Sequence, residues 1–309
     1  MQHYWSLQNL HLRGSWLTIG SFDGVHIGHK ALICELVTGA HAEGLSAVVL
    51  TFHPHPAVVL KKRNNFSYLS SPEGKTGLLA ALGVDVVVTH PFSLQVAQIS
   101  ARDFILNLSQ NLNIRRLCVG RDFALGRGRE GDLPALTRLG TELGFSIDTL
   151  KPVELDGEVV SSSRVRQALA DGDVELAHRL LGRPYKLIGE VVHGDSRGRS
   201  LGFPTANLEI WSERTLPKPG VYACWAILEG KEYPAVTNVG FRPTFDHQPA
   251  RARVEAYLLD FDGDLYRRTM RLSFIRRLRD EVRFDNIQAL IDQMHQDVQV
   301  GRQILEIRS

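Results

Sequence analysis

Cysteine is scarce in this sequence, and an excess of charge of either sign is missing. Only three cysteines (Cys34, Cys118, Cys224) occur in 309 residues, an odd number with no CxxC spacing, which excludes a disulfide framework and a thiolate zinc site. Each lies in an apolar stretch and reads as a core residue. Basic and acidic residues number 36 and 34, a net charge of +2, and the balance holds on both sides of Arg183. Neither a nucleic-acid footprint nor a polyacidic tail fits such balance, so any phosphate binding has to be local. The short basic run Lys61-Lys62-Arg63 reads as a solvated loop rather than an RNA site. The N-terminus lacks a basic segment followed by an apolar run, and no apolar stretch is long enough for a bilayer. The expectation is a cytoplasmic protein with no membrane or nucleic-acid partner, a monomer or weak homo-oligomer. What is present is ordinary: 43% hydrophobic and 23% charged residues over a two-domain length describe a globular chain with a large core.

Apolar runs at 15–19, 47–52, 84–89, 116–119 and 145–150 alternate with helix-like segments. Ala31, Leu32, Glu35, Leu36 and Ala40 mark an amphipathic stripe on the first helix, and Phe104, Ile105 and Leu108 mark a later one. This alternation predicts an α/β fold with a doubly wound parallel sheet, whose ligand sits beyond the carboxyl ends of the strands. Helices are predicted over 163–170 and 173–181. Gly182-Arg183-Pro184-Tyr185 then breaks the pattern, which predicts domains 1–183 and 184–309. The second domain has β-branched and aromatic runs at 187–192, 221–228, 233–239, 254–259 and 269–274, separated by glycine-containing turns. They predict a small antiparallel β-barrel, closed by a helix over 287–304 with Leu290, Ile291, Met294, Val298 and Ile304 facing inward.

Two segments carry chemistry. Directly after the first strand stands Gly20-Ser21-Phe22-Asp23-Gly24-Val25-His26-Ile27-Gly28-His29. Glycines at four-residue intervals let phosphate approach the start of the next helix, where unpaired N–H groups and the dipole favour an anion. His26 and His29 flank Gly28, so both rings can reach one phosphate cluster. Other readings are capping or surface histidines, or a metal site shared with His53 and His55. The second segment, 189–207, reads GEVVHGDSRGRSLGFPTAN; no GxxxxGK[ST] occurs, which excludes a P-loop kinase. Four glycines, Gly194 and Gly198 among them, and two arginines including Arg199 suit backbone amides wrapped around phosphate. Thr205 and Asn207 alternate on an extended chain and present two oxygens to one side.

The histidine segment resembles the nucleotidyltransferase superfamily. With Thr51-Phe52-His53-Pro54-His55-Pro56, Val119-Gly120-Arg121-Asp122-Phe123-Ala124-Leu125-Gly126, Ser161-Ser162-Ser163-Arg164-Val165-Arg166 and the PTAN tetrapeptide, the order resembles bacterial bifunctional riboflavin kinase/FMN adenylyltransferases, also called FAD synthetases. The segments Asn238-Val239-Gly240-Phe241-Arg242-Pro243-Thr244-Phe245 and Arg253-Val254-Glu255 continue the likeness. The resemblance implies riboflavin phosphorylation to FMN in the barrel and AMP transfer from ATP to FMN, giving FAD, in the α/β domain. It implies Mg2+ and ATP alongside riboflavin, FMN and FAD as substrates and products.

By the same resemblance His26 and His29 hold the ATP phosphates and stabilise departing pyrophosphate. Gly20, Phe22, Asp23 and Gly28 shape that phosphate site, and Ser162, Ser163 and Arg166 bind the triphosphate from the opposite side. Asp122 and Phe123 line the nucleotide and flavin cleft. In the kinase, Gly194, Gly198 and Arg199 hold phosphate, Thr205 and Asn207 hold metal and phosphate, Glu255 is the base, and Arg279 with Phe284 belongs to a flavin loop. Tyr257 and Arg267 stand where the family commonly has histidine and glycine. A chain with adenylyltransferase activity alone, or a flavin-binding regulator without turnover, are the rival readings.

Overall fold

The structure is a computed structural model that describes residues 1–8, 10–61, 66–194, 202–242 and 251–306. Strands without a polar face need cover on both sides. Such runs make up most of β2 (Ser15–Ile19), β3 (Ser46–His53), β4 (Val86–Pro91) and β5 (Ile114–Gly120), while the half-exposed β6 (Ser146–Leu150) and the short polar β1 (Gln2–Tyr4), which pairs with β4, stand at the two edges. All pair in parallel, in the order β1-β4-β3-β2-β5-β6. Between them run α1 (Ile27–Ala42), the single turn α2 (Pro56–Val59), α3 (Pro72–Ala80), the single turn α4 (Leu94–Ala97), α5 (Ala101–Leu112) and α6 (Leu133–Leu143). Ser71, Ser100 and Asp132 start α3, α5 and α6 by accepting backbone N–H groups, as N-cap oxygens do.

Two cores result. Ile33, Leu36, Ala40 and Leu79 pack with Trp16, Val49 and Val87, while Phe104, Ile105, Leu108 and Leu136 pack with Leu17, Leu50 and Val88. A β-carbon on Gly39 would stand 2.0 Å from the Trp16 ring, so only glycine lets α1 approach β2 there. Cys118 and Cys224 are buried as expected, but Cys34 is exposed. The inward face of α1 is Ile33, Leu36 and Ala40, and the next residue after Ile33, about 100° further round, looks outward.

The chain leaves β2 for β3 and β4 on one side, then returns to place β5 on the other side of β2. Strand order therefore reverses between β2 and β5, and the crevice beyond their carboxyl ends is the place where such sheets bind ligands. The Gly20–His29 motif follows β2, and Asp122-Phe123 follows β5.

After the hairpin β7 (Glu154–Leu155) and β8 (Glu158–Val159) come α7 (Ser162–Asp171) and α8 (Val174–Leu181). The compact units divide as Met1–Ser162 and Ser163–Ser309, about twenty residues before the change in sequence pattern. The reason is packing: α8 lies against β9 (Tyr185–Val192) and β14 (Thr269–Arg279), and its Glu175 pairs with Arg276 at 2.8 Å. With β10 (Ala206–Ile210), β11 (Gly220–Leu228), β12 (Lys231–Arg242) and β13 (Arg251–Leu258) these strands close a barrel in the order β10-β13-β12-β11-β14-β9. β10 was not among the runs expected from sequence, because ANLEI is short and half polar.

Along β9 and β13 residues alternate between the barrel interior and its outer face. Tyr185, Leu187 and Val191 point in from β9, and Val254, Ala256 and Leu258 from β13, leaving Arg253, Glu255 and Tyr257 outside. Helix α9 (Ile287–Glu306) packs over the outside of β11, β12 and β14, with Leu305 buried and Ile291 and Ile304 half-buried. Among the described residues no helix is long and apolar enough to cross a membrane.

Candidate active sites

The loop between β2 and α1 has left-handed backbone at Phe22 (φ 45°), Gly24 (φ 78°) and Val25 (φ 41°). A β-branched residue keeps such a conformation only where its surroundings over-determine it. They do. Phe22 and Val25 are in the core, and the Asp23 carboxylate, 2% exposed, accepts from the backbone N–H of Leu69 and Ser70 at 3.0 and 3.1 Å. Ser70 Oγ in turn accepts from Gly24 N, and Ser162 Oγ donates to the Asp23 carbonyl at 2.8 Å. Phe22 and Asp23, expected to shape the phosphate site directly, therefore turn inward and brace the loop, because a buried carboxylate engaged by backbone amides does not face an anion. β-carbons on Gly20 and Gly28 would meet the Phe22 ring at 3.1 Å and the His26 ring at 3.2 Å.

His26 caps α1, its Nδ1 accepting from His29 N at 3.3 Å, so the neutral ring carries its proton on Nε2. The His26 and His29 rings stack at 3.6 Å with 17° between planes. His29 Nδ1 is buried without a hydrogen-bond partner. Burial first, then the nearby His26 and Lys75, hold the His29 imidazole well below its ordinary range. It is neutral at pH 7. Of the readings open for this pair, capping is observed for His26. The metal reading has no support: His55 Nδ1 caps α2 through Ala57 N, and among the described residues no three His, Cys, Asp or Glu side chains gather.

Lys75 completes this site and was not found by sequence reasoning; its one signal was a lysine on the apolar side of a predicted helical segment. It is 6% exposed, and its Nζ donates to the Ser21 carbonyl at 3.0 Å and to Thr51 Oγ1 at 2.8 Å, tying the loop to the end of β3. Burial pushes its pKa from 10.5 down to about 8, with Asp23 opposing the shift. Between these two values the unfolded chain binds more protons, so this group makes stability rise with pH from about 8 to 10.5; below 8 the burial penalty is felt in full. That penalty is of the order of 3 kcal/mol. In urea unfolding of the full chain, wild type is expected to gain on Lys75→Met as pH is raised from 8 to 10. A pH-independent difference would remove Lys75 as a buried cation.

The expected nucleotide and flavin residues follow β5. Asp122 is exposed and its carbonyl accepts from Arg129 Nη2 at 2.9 Å, while Phe123 is half-buried against the core. Ser162 begins α7 and belongs to the first unit; Ser163 and Arg166 belong to the second. Ser163 is exposed, and Arg166 lies one turn beyond Ser162 on the same helical face.

The second site lies on the outer face of the barrel. Asn207 on β10 and Asn238 on β12 are both cross-strand partners of Glu255 on the strand between them, β13. Such neighbours project to one face with β-carbons about 5 Å apart. Glu255, Thr205 and Asn238 open into one cavity of about 290 Å3, walled by Phe203, Val236, Phe284, Leu290, Met294 and Val298. Arg253 Nη2 holds Glu255 Oε1 at 2.6 Å, and Glu255 is 16% exposed. Asn207 packs so tightly on Gly194 that a β-carbon there would come within 2.1 Å of its amide. Gly198 and Arg199 lie outside the described residues. Arg279 lines the cavity with its guanidinium gripped by Asp297 of α9, at 2.9 and 2.6 Å; that buried carboxylate was missed because its helix position looked merely polar.

The two departures from the family pattern are placed as well. Tyr257 lines the cavity, its ring edge-on to Phe203 at 5.3 Å. Arg267 has φ 62°, the left-handed region that explains why glycine is common at that position.

Comparison with known proteins agrees across the chain. The FAD synthetase family model matches residues 8–164 and the riboflavin kinase model matches 181–305. The bifunctional riboflavin kinase/FMN adenylyltransferase of Pseudomonas fluorescens is 38% identical over 94% of this chain and 93% of its own. That of Escherichia coli (strain K12) is 39% identical over 94% and 92%, and that of Bacillus subtilis 37% over 92% and 90%. A solved structure described as a macrolide-efflux protein from Streptococcus pneumoniae superposes with a TM-score of 0.89 at 31% identity, covering 97% of this chain and 98% of that one. With a parallel α/β unit that matches the synthetase, a closed barrel that matches the kinase, and near full-length relatives, the chain belongs to the bifunctional riboflavin kinase/FMN adenylyltransferase family.

Proposed function

We propose a division of labour between the two sites that follows from the nucleophile each must handle. Riboflavin offers a neutral primary alcohol, so the transfer of the γ-phosphoryl group of ATP to that oxygen, with ADP leaving, needs an acceptor for the alcohol proton. Glu255 takes that proton, and Arg253 fixes which carboxylate oxygen is free to do so. The apolar walls of the cavity hold the ring system and exclude water from the alcohol. The donor set beside the base consists of oxygens only, the Thr205 hydroxyl, the Asn207 amide oxygen and Glu255, which suits Mg2+ bound through few protein ligands. Thr205 and Asn207 would hold it, and bound Mg2+ supplies charge neutralisation on the nucleotide phosphates.

FMN brings a phosphate that is largely dianionic near neutrality, its second pKa being about 6. No base is required; two anions must be aligned and shielded. His26 and His29 at the start of α1 shield the phosphates and the leaving pyrophosphate, with Ser162, Ser163 and Arg166 as further anion-binding groups and Asp122 and Phe123 at the cleft. Lys75 holds the loop and adds buried positive charge. The two activities reside in residues 1–183 and 184–309, in a cytoplasmic enzyme that is a monomer or weak homo-oligomer.

The observation that carries this reading is the Asn207–Glu255 cross-strand pair beside Thr205 at an apolar cavity. Incubating the protein with riboflavin, ATP and Mg2+ and resolving the flavins over time is the test. FMN is expected first and FAD after it. Adenylylation of supplied FMN without any phosphorylation of riboflavin would leave a single activity.

A further inference from the structure

We infer that Asn238 reads the hydroxylated side chain of the flavin, so that the kinase cavity selects for a polyol tail and not for the ring alone. The inference rests on the kinase reading above and extends it to a residue that the reading leaves without a role. Asn238 pairs across β12 with Glu255 on one side and Val221 on the other, and all three line the same cavity. Its Nδ2 donates to Glu281 Oε1 at 3.2 Å. A carboxylate can only accept, so this contact orients the amide and turns Oδ1 the other way. That Oδ1 is buried and, among the described residues, has no hydrogen-bond partner.

A buried amide oxygen left unmet destabilises the site, so a donor from a ligand is its natural complement. The surroundings decide which donor. Oδ1 is an acceptor with Glu255 on the next strand and Glu281 on its own amide, and such a group repels phosphate and welcomes a neutral O–H. The base Glu255 receives the proton of the terminal alcohol. A side chain about 5 Å away on the adjacent strand is placed to take a hydroxyl further along the same chain. Ring atoms find their complement in the apolar wall, which leaves the polyol as the part of the flavin that Oδ1 can recognise.

The test uses the full chain and two ligands, riboflavin and lumiflavin, which has the ring system without the polyol. For Asn238→Leu the KM for riboflavin in the kinase reaction is expected to rise about tenfold, the loss of one neutral hydrogen bond. The KM for ATP and the Mg2+ requirement should not change, and lumiflavin should bind wild type and variant equally. Asn238→Ser, which keeps a short hydroxyl, should recover part of the loss, and an unfolding temperature of the barrel close to that of wild type checks that the variants are folded. Equal weakening of lumiflavin would make Asn238 a wall residue and overturn the inference. So would a raised KM for ATP or Mg2+ with riboflavin unaffected, which would move Asn238 to the phosphate side. Failure of wild type to phosphorylate riboflavin would instead count against the kinase reading itself.

Discussion

Replacing Glu255 with glutamine is expected to slow riboflavin phosphorylation by about 10²–10⁴-fold while adenylylation of supplied FMN continues at the wild-type rate. Glutamine keeps the size of the side chain and its place beside Asn207 and Asn238 but cannot accept a proton from an alcohol at neutral pH. The loss therefore falls on kcat more than on the binding of riboflavin. Arg253 loses its ion-pair partner, but its side chain is 35% exposed and can be rehydrated, so the barrel should unfold at nearly the wild-type temperature. Flavin chromatography after parallel incubations with riboflavin and with FMN measures both steps. A variant that still makes FMN at more than a tenth of the wild-type rate would take the role of base away from Glu255. One that lost both activities would contradict two independent sites.

Replacing His29 with alanine is expected to produce the mirror image: adenylyl transfer lowered by about 10²–10³-fold, the range seen when one charge-stabilising group is removed, and the kinase unaffected. His29 is suited to this experiment because, among the described residues, its buried Nδ1 makes no hydrogen bond that the fold uses. Nδ1 is buried and unpaired, and the ring rests on His26 and edge-on to Phe22 at 5.0 Å. Asp23, a few residues earlier, is the contrasting case. Its carboxylate holds the amides of Leu69 and Ser70, so its removal would unseat the loop and report on folding. Pyrophosphate release with FMN as substrate measures the first effect, and riboflavin phosphorylation by the same sample serves as its control. If His29→Ala retained most of the adenylyl transfer, the stacked pair would reduce to a helix cap.

Much of this architecture was legible in the order of residues. Runs such as SWLTI and AVVLTF are apolar on both faces and suit only a covered parallel strand, and they stand as β2 and within β3. The histidine motif was legible because its glycines permit a sharp turn after a buried strand, and a loop with left-handed backbone at Phe22, Gly24 and Val25 does stand there, leading into α1. Less was legible where a local pattern carried little information. β1 and β10 are short and polar, and their existence depends on an edge of β4 and on a gap between β9 and β13. Cys34 was expected in the core because its neighbours are apolar, but an apolar stretch on a helix turns only one face inward, Ile33, Leu36 and Ala40 here, and Cys34 lies off that face in solvent.

The sequence alone determined which chemistry each half could perform, since a carboxylate in a β-strand, a PTAN turn and paired histidines are properties of residue type and local spacing. Tertiary structure alone decided which of those groups meet. Lys75, Ser70 and Thr51 reach the loop between β2 and α1 from 30 to 54 residues away in the chain, and Asn238 and Asp297 reach the cavity beside Glu255 from a strand and a helix with no sequence link to it. Helix and strand periodicity report only on neighbours a few residues apart. Burial, which lowers the pKa of Lys75 and leaves Asn238 Oδ1 unmet, is created when distant segments close over one another.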